Sequence, residues 1–422
     1  MSNSDTTGKI GILTADIEHS FSSTQAAFRQ GFFKLLGNLE DACLTVTDPL
    51  GTETFGDPDS DLHTSLQIID PATYTDLAAG GPVGGAEAYI EGKWITSDLT
   101  SLLRLFVRNR DIMLTLDGGL TSLIKPARRM LHWTRRNTIK SSKANILAHY
   151  DLGEEMFRTF LDPTLTYSAT VYESEDSTLD ESAIYKLDLI CKKLELKPDD
   201  HLIEIGTGWG GLAIHAAKHY GCRVTTTTIS NNQYEVAAKR IKEAGLEDRI
   251  TLLDKDYRLL EGKFDKLVSV EMIEAVGHAY LNTFFRKCND LLKPDGRMLL
   301  QAITIADRHH DRAVKTVDFI QKYIFPGGAL PSMGSIMSCI SSQTDLQITG
   351  LHDIGLHYAR TLRDWRTRFF DNLPEIRQLG YPDEFARMWD YYLCYCESGF
   401  LERSISTLQL VFDKPDCRLS LP

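Results

Sequence analysis

Strand-like and helix-like stretches alternate from residue 182 to residue 303, and this alternation limits the possible folds more than any single motif does. Helices are expected over 182–194, 210–219, 231–244 and 278–291, and strands over 201–205, 222–228, 249–254, 264–270 and 296–303. Strands separated by helices pair in parallel, in a sheet with both faces covered. Ligands of such sheets sit beyond the carboxyl ends of the strands. The stretch HLIEIGTGWGG, residues 201–211, places Gly206, Gly208, Gly210 and Gly211 at that edge. A turn without side chains lets the backbone pass close to a ligand.

A glycine turn of this kind suits a dinucleotide, a nucleoside or a bend with no ligand at all. Glu204, two residues before the first glycine, disfavours a pyrophosphate and suits a cation or a ligand amine. The segment TTTTISNNQYE, after the second strand, lacks the acid that a dinucleotide ribose favours, and Asp256 follows the third strand in LLDKDYR. The turn also lacks the Gly-Lys-Ser/Thr ending of a phosphate loop. Together these features favour a small zwitterionic nucleoside, S-adenosylmethionine (AdoMet) first among them.

The 422 residues are too many for one ordinary core, and two domains are expected. A formal charge of −12 argues against a nucleic-acid partner. Residues 1–120 read as a small α+β domain. It has a hairpin around Asp48-Pro49-Leu50-Gly51, short strands in HTSLQIID and GAEAYIEGKWIT, and a helix in LTSLLRLFVRNRDIM. Residues 121–144 form a basic linker that carries Leu131 and Trp133. It reads as a solvated helix, with a membrane-surface contact as the alternative. Residues 145–422 form the second domain, whose C-terminal part is expected to be largely helical. The eight scattered cysteines read as reduced thiols, and neither an export signal nor a membrane span is evident, so a cytoplasmic protein is expected. His309 and His310 in DRHHD read as a solvated loop rather than a metal site, and no metal is expected.

Seven segments in this order, HYDLGEEMFRTFLDPTLTYSATVY, IEIGTGWGGLA, TTTTISNNQ, VSVEMIEAVG, LLQAITI, YIFPGGALPS and YARTLRDW, resemble the cyclopropane fatty acid synthase family across residues 145–410. The combination of VSVEMIEAVG with LLQAITI is closer to its plant-type and related bacterial branch. The resemblance implies an α/β fold: a Rossmann-like AdoMet methyltransferase domain with a smaller N-terminal α+β domain and helical C-terminal insertions. It implies transfer of a methyl group from AdoMet to the double bond of an unsaturated phospholipid acyl chain, followed by closure of a cyclopropane ring. A homodimer at the inner face of the membrane is implied too. Two alternatives stay open, an acyl-chain methyltransferase that leaves a methyl branch or methyl-alkene, and a silent lipid-binding protein.

By the same resemblance, Tyr167 and Ser168 close over AdoMet, Gly206 and Gly208 lie under its methionine end, Thr228 and Gln233 follow the second strand, and Asp256 and Tyr257 flank the adenine. A bound bicarbonate is implied as the base that takes the proton from the new methyl group, held by Glu274, Tyr358, the backbone of Ile303, Gln301 and Ala169. The chain departs from the commonest bacterial pattern here: Ala169 replaces a cysteine, Gln301 a histidine and Ala275 a histidine. Ala169 still offers an N–H and the Gln301 amide still donates, but the titratable partner is lost. Glu271 is expected in a hydrogen-bonded or AdoMet-side role rather than in shared-proton chemistry. Tyr167, Tyr323, Phe325, Phe369 and Tyr391 are available to ease a carbocation, and His149 is expected near the substrate entrance.

Overall fold

The computed structural model describes residues 21–112, 115 and 152–419. The linker 121–144 and His149 lie outside them. The chain divides into two compact units, one of Met1–Leu152, Val317–Pro326 and Arg366–Glu402, the other of Gly153–Thr316, Gly327–Trp365 and Arg403–Pro422. A split into consecutive segments was expected; instead, two stretches from the C-terminal half belong to the first unit.

In the first unit, strands β1 (Cys43–Asp48), β2 (Gly51–Gly56), β3 (His63–Ile68) and β4 (Trp94–Ile95) form a sheet in the order β2-β1-β3-β4. The expected hairpin is present, with Asp48 opposite Gly51. GAEAYIEGKWIT is mostly not a strand: a helical segment, Ala72–Ile90, runs through the glycines and only Trp94–Ile95 pairs. Gly81, at φ +56°, with Pro82 behind it, breaks this segment into two helices. Helix Asp383–Leu401, the aromatic-rich segment, packs here on helices Leu99–Arg108 and Ala72–Ile90. Its buried Asp390 accepts hydrogen bonds from Tyr89 Oη (2.6 Å) and Arg366 Nε (2.5 Å).

In the second unit, β5 (His201–Ile205), β6 (Arg223–Thr228), β7 (Ile250–Asp254), β8 (Phe264–Val270) and β9 (Leu292–Ile305) are parallel, as expected. Two strands in the supposedly helical C-terminal part extend this sheet: β11 (Ile405–Asp413) pairs antiparallel with β9, and β10 (Gln347–Asp353) with β11. The order is β10-β11-β9-β8-β5-β6-β7. Successive residues feed two separate cores: Ile203, Leu267, Leu300 and Leu410 face one, Leu202, Val268, Leu299 and Val411 the other. This period of two, apolar on both faces, is why the strands read as continuous apolar runs. After β5 the chain builds β6 and β7 on one side and returns to place β8 on the other. That reversal opens a crevice at the carboxyl end of β5, where the glycine turn lies.

Replacement of Asp390 by Ala should remove a buried carboxylate that pairs with Arg366 and accepts from Tyr89 Oη, and destabilise the first unit by about 3 kcal/mol. Calorimetric melting of the full chain against Asp390→Asn and the parent would read this, and an unchanged melting profile for Asp390→Ala would contradict it.

Candidate active site

The crevice is built from the ends of β5, β6, β8 and β9. Gly206, Gly208 and Gly210 hold φ of +102°, +53° and +84°, which side-chain-bearing residues rarely adopt. A Cβ on Gly206 would meet Met272 at 3.1 Å, whereas one on Gly208 would meet nothing within 4 Å, so the backbone there faces open space. Around this turn lie Thr228, whose hydroxyl donates to Gln233 Oε1 (2.8 Å), and Tyr257, packed edge-on against Phe284. Asp256 is paired with Arg258 through both carboxylate oxygens. Glu204 is not offered to a ligand: it is 3% exposed, accepts from Thr226 (2.5 Å), and burial pushes its carboxyl up to about 8. The turn and the open edge at Gly208 leave the backbone accessible to a ligand.

Tyr167, Ser168 and Ala169 follow a tight turn in which Asp162 accepts from the N–H groups of Thr164 and Thr166. Tyr167 lies in an aromatic wall with Phe157 (4.8 Å), Trp365 (5.3 Å) and Phe160 (6.4 Å), and Trp365 meets Tyr358 edge-on. The other aromatic candidates belong to the first unit. There Tyr391 packs on Tyr89 and Phe319, Phe369 on Trp389, Phe325 on Tyr392, and Tyr323 donates to Glu87. Phe157, Phe160 and Trp365 are the ring partners that sequence reasoning missed.

Glu271, the residue after β8, holds φ +47°, a left-handed conformation that costs a non-glycine residue about 1 kcal/mol. Its N–H donates to Gln301 O of β9 (2.8 Å), which carries the β8–β9 ladder on to the residue that bears the carboxyl group. Three donors converge on its carboxylate. Ala169 N–H (2.9 Å) and Gln301 Nε2 (2.8 Å) donate to Oε1, and Tyr358 Oη (3.0 Å) donates to Oε2. These are three of the five groups expected to hold bicarbonate. A fourth, the N–H of Ile303, donates to Glu274 Oε1 (2.5 Å), and the fifth is Glu274 itself, whose Oε2 is buried with no hydrogen-bond partner. Bicarbonate does not fit this donor set, because a carboxylate of the chain already engages it.

Behind the site, buried Lys186 donates to Ser168 Oγ (2.9 Å). Burial pushes its ammonium down to about 8, opposed by Glu271, Asp162 and Glu204. Gln301 Oε1 accepts from Gln409 Nε2 (2.9 Å), whose Oε1 accepts from Lys193 Nζ (2.7 Å). An ammonium only donates, so it fixes the orientation of Gln409, which in turn presents the Gln301 NH₂ to Glu271. Sequence reasoning missed Lys186, Lys193 and Gln409. For Lys186 a signal existed, a lysine on the apolar face of a helix beside Ala183, Leu187 and Ile190.

Burial raises the Glu271 carboxyl, opposed by Gln301, Ala169, the Lys186 charge and Tyr358. Burial, followed by the Glu271 charge, pushes Glu274 up to about 8. Both carboxyls are raised by burial; at Glu271 three hydrogen-bond donors and the Lys186 charge oppose the rise, whereas at Glu274 the Glu271 charge adds to it and only backbone hydrogen bonds oppose it. Glu271 was expected in a hydrogen-bonded or AdoMet-side role, and its carboxyl accepts hydrogen bonds from Ala169, Gln301 and Tyr358.

The profile of the family described as mycolic acid cyclopropane synthetase matches residues 137–410. The chain is 35% identical over 351 residues to the cyclopropane-fatty-acyl-phospholipid synthase of Escherichia coli K12, covering 83% of this chain and 87% of that one. It is also 35% identical over 338 residues to the tuberculostearic acid methyltransferase UfaA1 of Mycobacterium tuberculosis, covering 76% of each. Among solved structures, the mycolic acid cyclopropane synthase CmaA1 in complex with SAH and CTAB matches at a TM-score of 0.59 and 32% identity, over 64% of this chain and 98% of that one. The chain therefore belongs to the mycolic acid cyclopropane synthetase family and is an AdoMet-dependent methyltransferase.

Proposed function

We propose that the protein methylates the double bond of an unsaturated phospholipid acyl chain and closes a cyclopropane ring. The observation that carries this reading is a half-buried carboxyl group, Glu271, held by three donors, one of which, Tyr358, packs on the Trp365 ring of the Tyr167–Trp365 aromatic wall. An alkene is a weak nucleophile, so the site must hold it in line with a methyl donor and exclude water. When bound, AdoMet supplies the sulfonium methyl group. The aromatic faces of Tyr167 and Trp365 suit the positive charge that then appears on the acyl chain. A carboxylate at Glu271 lowers the energy of that charge further.

In this reading Tyr167, Ser168, Gly206 and Gly208 cradle the methionine end, with Thr228, Gln233, Asp256 and Tyr257 towards the nucleoside. Asp256 enters as one half of an ion pair with Arg258, so Tyr257 supplies the ring contact. Bicarbonate has no step here, because its donors are engaged. The bilayer substrate requires docking at a membrane surface, as a homodimer in this proposal. Among the described residues no helix is long and apolar enough to cross a membrane. A second reading, a methyl branch or methyl-alkene without ring closure, is favoured by the equal 35% identity to the tuberculostearic acid methyltransferase and to the synthase. The intact donor set around Glu271 speaks against the silent lipid-binding alternative.

Incubation of the protein with methyl-labelled AdoMet and vesicles of monounsaturated phospholipid, followed by proton NMR of the released esters, tests both readings. High-field ring protons with loss of the vinyl signal are expected. A labelled product that keeps vinyl or exomethylene protons, or a saturated methyl branch, would move the assignment to the second reading; no transfer of label would defeat both.

The protonated state of Glu274 has a consequence for stability. Its folded value, about 8, lies above the ordinary carboxylate value, so between roughly pH 4.5 and 8 the folded chain holds a proton that the unfolded chain releases. Stability contributed by this group falls as pH rises through that window. Glu274→Gln should remove that fall and flatten the pH dependence of unfolding by about 1 kcal/mol per pH unit. Urea midpoints from pH 5 to 8 for variant and parent would measure it, and parallel curves would show that Glu274 is ionised in the folded chain.

A further inference from the structure

We propose that Glu271 is the chain's own replacement for a bound anion, and that its carboxylate takes the proton whose loss closes the ring. The inference rests on the acyl-chain reading above and names the base of that reaction.

Four observations converge. First, the donors engaging Glu271 come from three separate parts of the fold: the turn at Ala169, strand β9 at Gln301, and helix Gly355–Asp371 at Tyr358. Donors gathered from such distant positions around one carboxylate make an anion site, and the anion is covalently attached. Second, Glu271 sits at φ +47°, where glycine would be relaxed, and strain at a half-buried, hydrogen-bonded polar residue points to a function that holds it there. Third, the relay from Lys193 through Gln409 fixes the Gln301 amide with its NH₂ towards Glu271, so the cradle is oriented for a permanent acceptor. Fourth, the charged and titratable groups facing Glu271 are Lys186 from helix Leu179–Leu194, Tyr358 and Glu274. The Gln301 and Ala169 hydrogen bonds, then the Lys186 charge and Tyr358, favour the anionic form of Glu271 against its burial, and the Glu271 charge helps to raise Glu274.

The step balances without an outside reactant. The alkene π pair forms the bond to the methyl carbon while the C–S pair stays on sulfur, which leaves a cation on the neighbouring chain carbon. A proton passes from the new methyl group to a Glu271 oxygen, and the C–H pair becomes the third ring bond. Glu271 then returns the proton to water. Ala169 and Gln301, which stand where the family's commoner pattern has cysteine and histidine, suit this arrangement: they need only donate to a carboxylate, and a titratable imidazole is not required.

The test uses the full chain with ¹³C-bicarbonate and vesicles of monounsaturated phospholipid in CO₂-free buffer. Bicarbonate line broadening is expected to be absent with the parent and present with Glu271→Gly, which removes the carboxylate and relaxes the backbone. Turnover of the parent should not respond to added bicarbonate. Turnover of Glu271→Gly should fall by about 100-fold, the usual contribution of a general base, and recover at least partly with bicarbonate or formate. Glu271→Gln, which keeps the side-chain size, should lose turnover without rescue while AdoMet binding by calorimetry is retained. Broadening with the parent, stimulation of the parent by bicarbonate, or parent-like turnover in Glu271→Gln would each overturn the proposal. A parent that moves no methyl group onto phospholipid would defeat the acyl-chain reading, and the line-broadening comparison would still decide whether Glu271 fills the cradle.

Discussion

A carboxylate taken out of water is tolerable only where donors and charge replace its hydration. The arrangement at the end of β8 is organised around that requirement. Ala169, Gln301 and Tyr358 supply the hydrogen bonds to Glu271, and Lys186 supplies the compensating charge. Each donor is held by a different piece of structure, so the sheet register at β8 and β9, the turn at Asp162 and helix Gly355–Asp371 must all be in place together. The glycine turn after β5 and the anion after β8 then lie at ends of adjacent parallel strands, the position where such a sheet leaves room for a ligand.

Much of this was legible in the sequence. The period-two apolar runs placed β5 to β9 within a few residues of their observed ends, because strands buried on both faces show little else. The glycine turn was legible because φ above zero at Gly206 and Gly208 excludes most other residues. Strands β10 and β11 were not: β10 buries none of its residues fully, so its apolar pattern is weak, and only the short Asp353-Ile354-Gly355 bend, where Asp353 accepts from the Gly355 N–H, separates it from the helix that follows. The membership of helix Asp383–Leu401 in the first unit was hidden too: an amphipathic aromatic helix shows that it packs, not on what.

At the site, the motif positions came together while their relations differed from expectation. Tyr358, Gln301 and Ala169 do meet at one acidic group, and that group is the Glu271 carboxyl. Sequence order alone does not say which of two acids, three residues apart, is oriented into the cradle. That depends on the left-handed backbone at Glu271, a conformation no propensity would assign to glutamate. Gln409 was invisible for a related reason: a buried polar side chain in a regular element reads as a surface residue until its partners in distant segments are known, whereas Lys186 was betrayed only by its place among Ala183, Leu187 and Ile190.

Gln409 lies in β11, the last strand of the chain, yet it sets the orientation of an amide more than a hundred residues upstream. On the ribosome, β5 to β9 and the glycine turn emerge well before this strand and can pair as they appear. The oriented cradle cannot form until residues 405–413 have left the exit tunnel and inserted between β9 and β10. Orientation of the cradle is thereby tied to the emergence of β11, and a chain stopped short of it carries the turn and the acids without the Gln409 contact that orients Gln301.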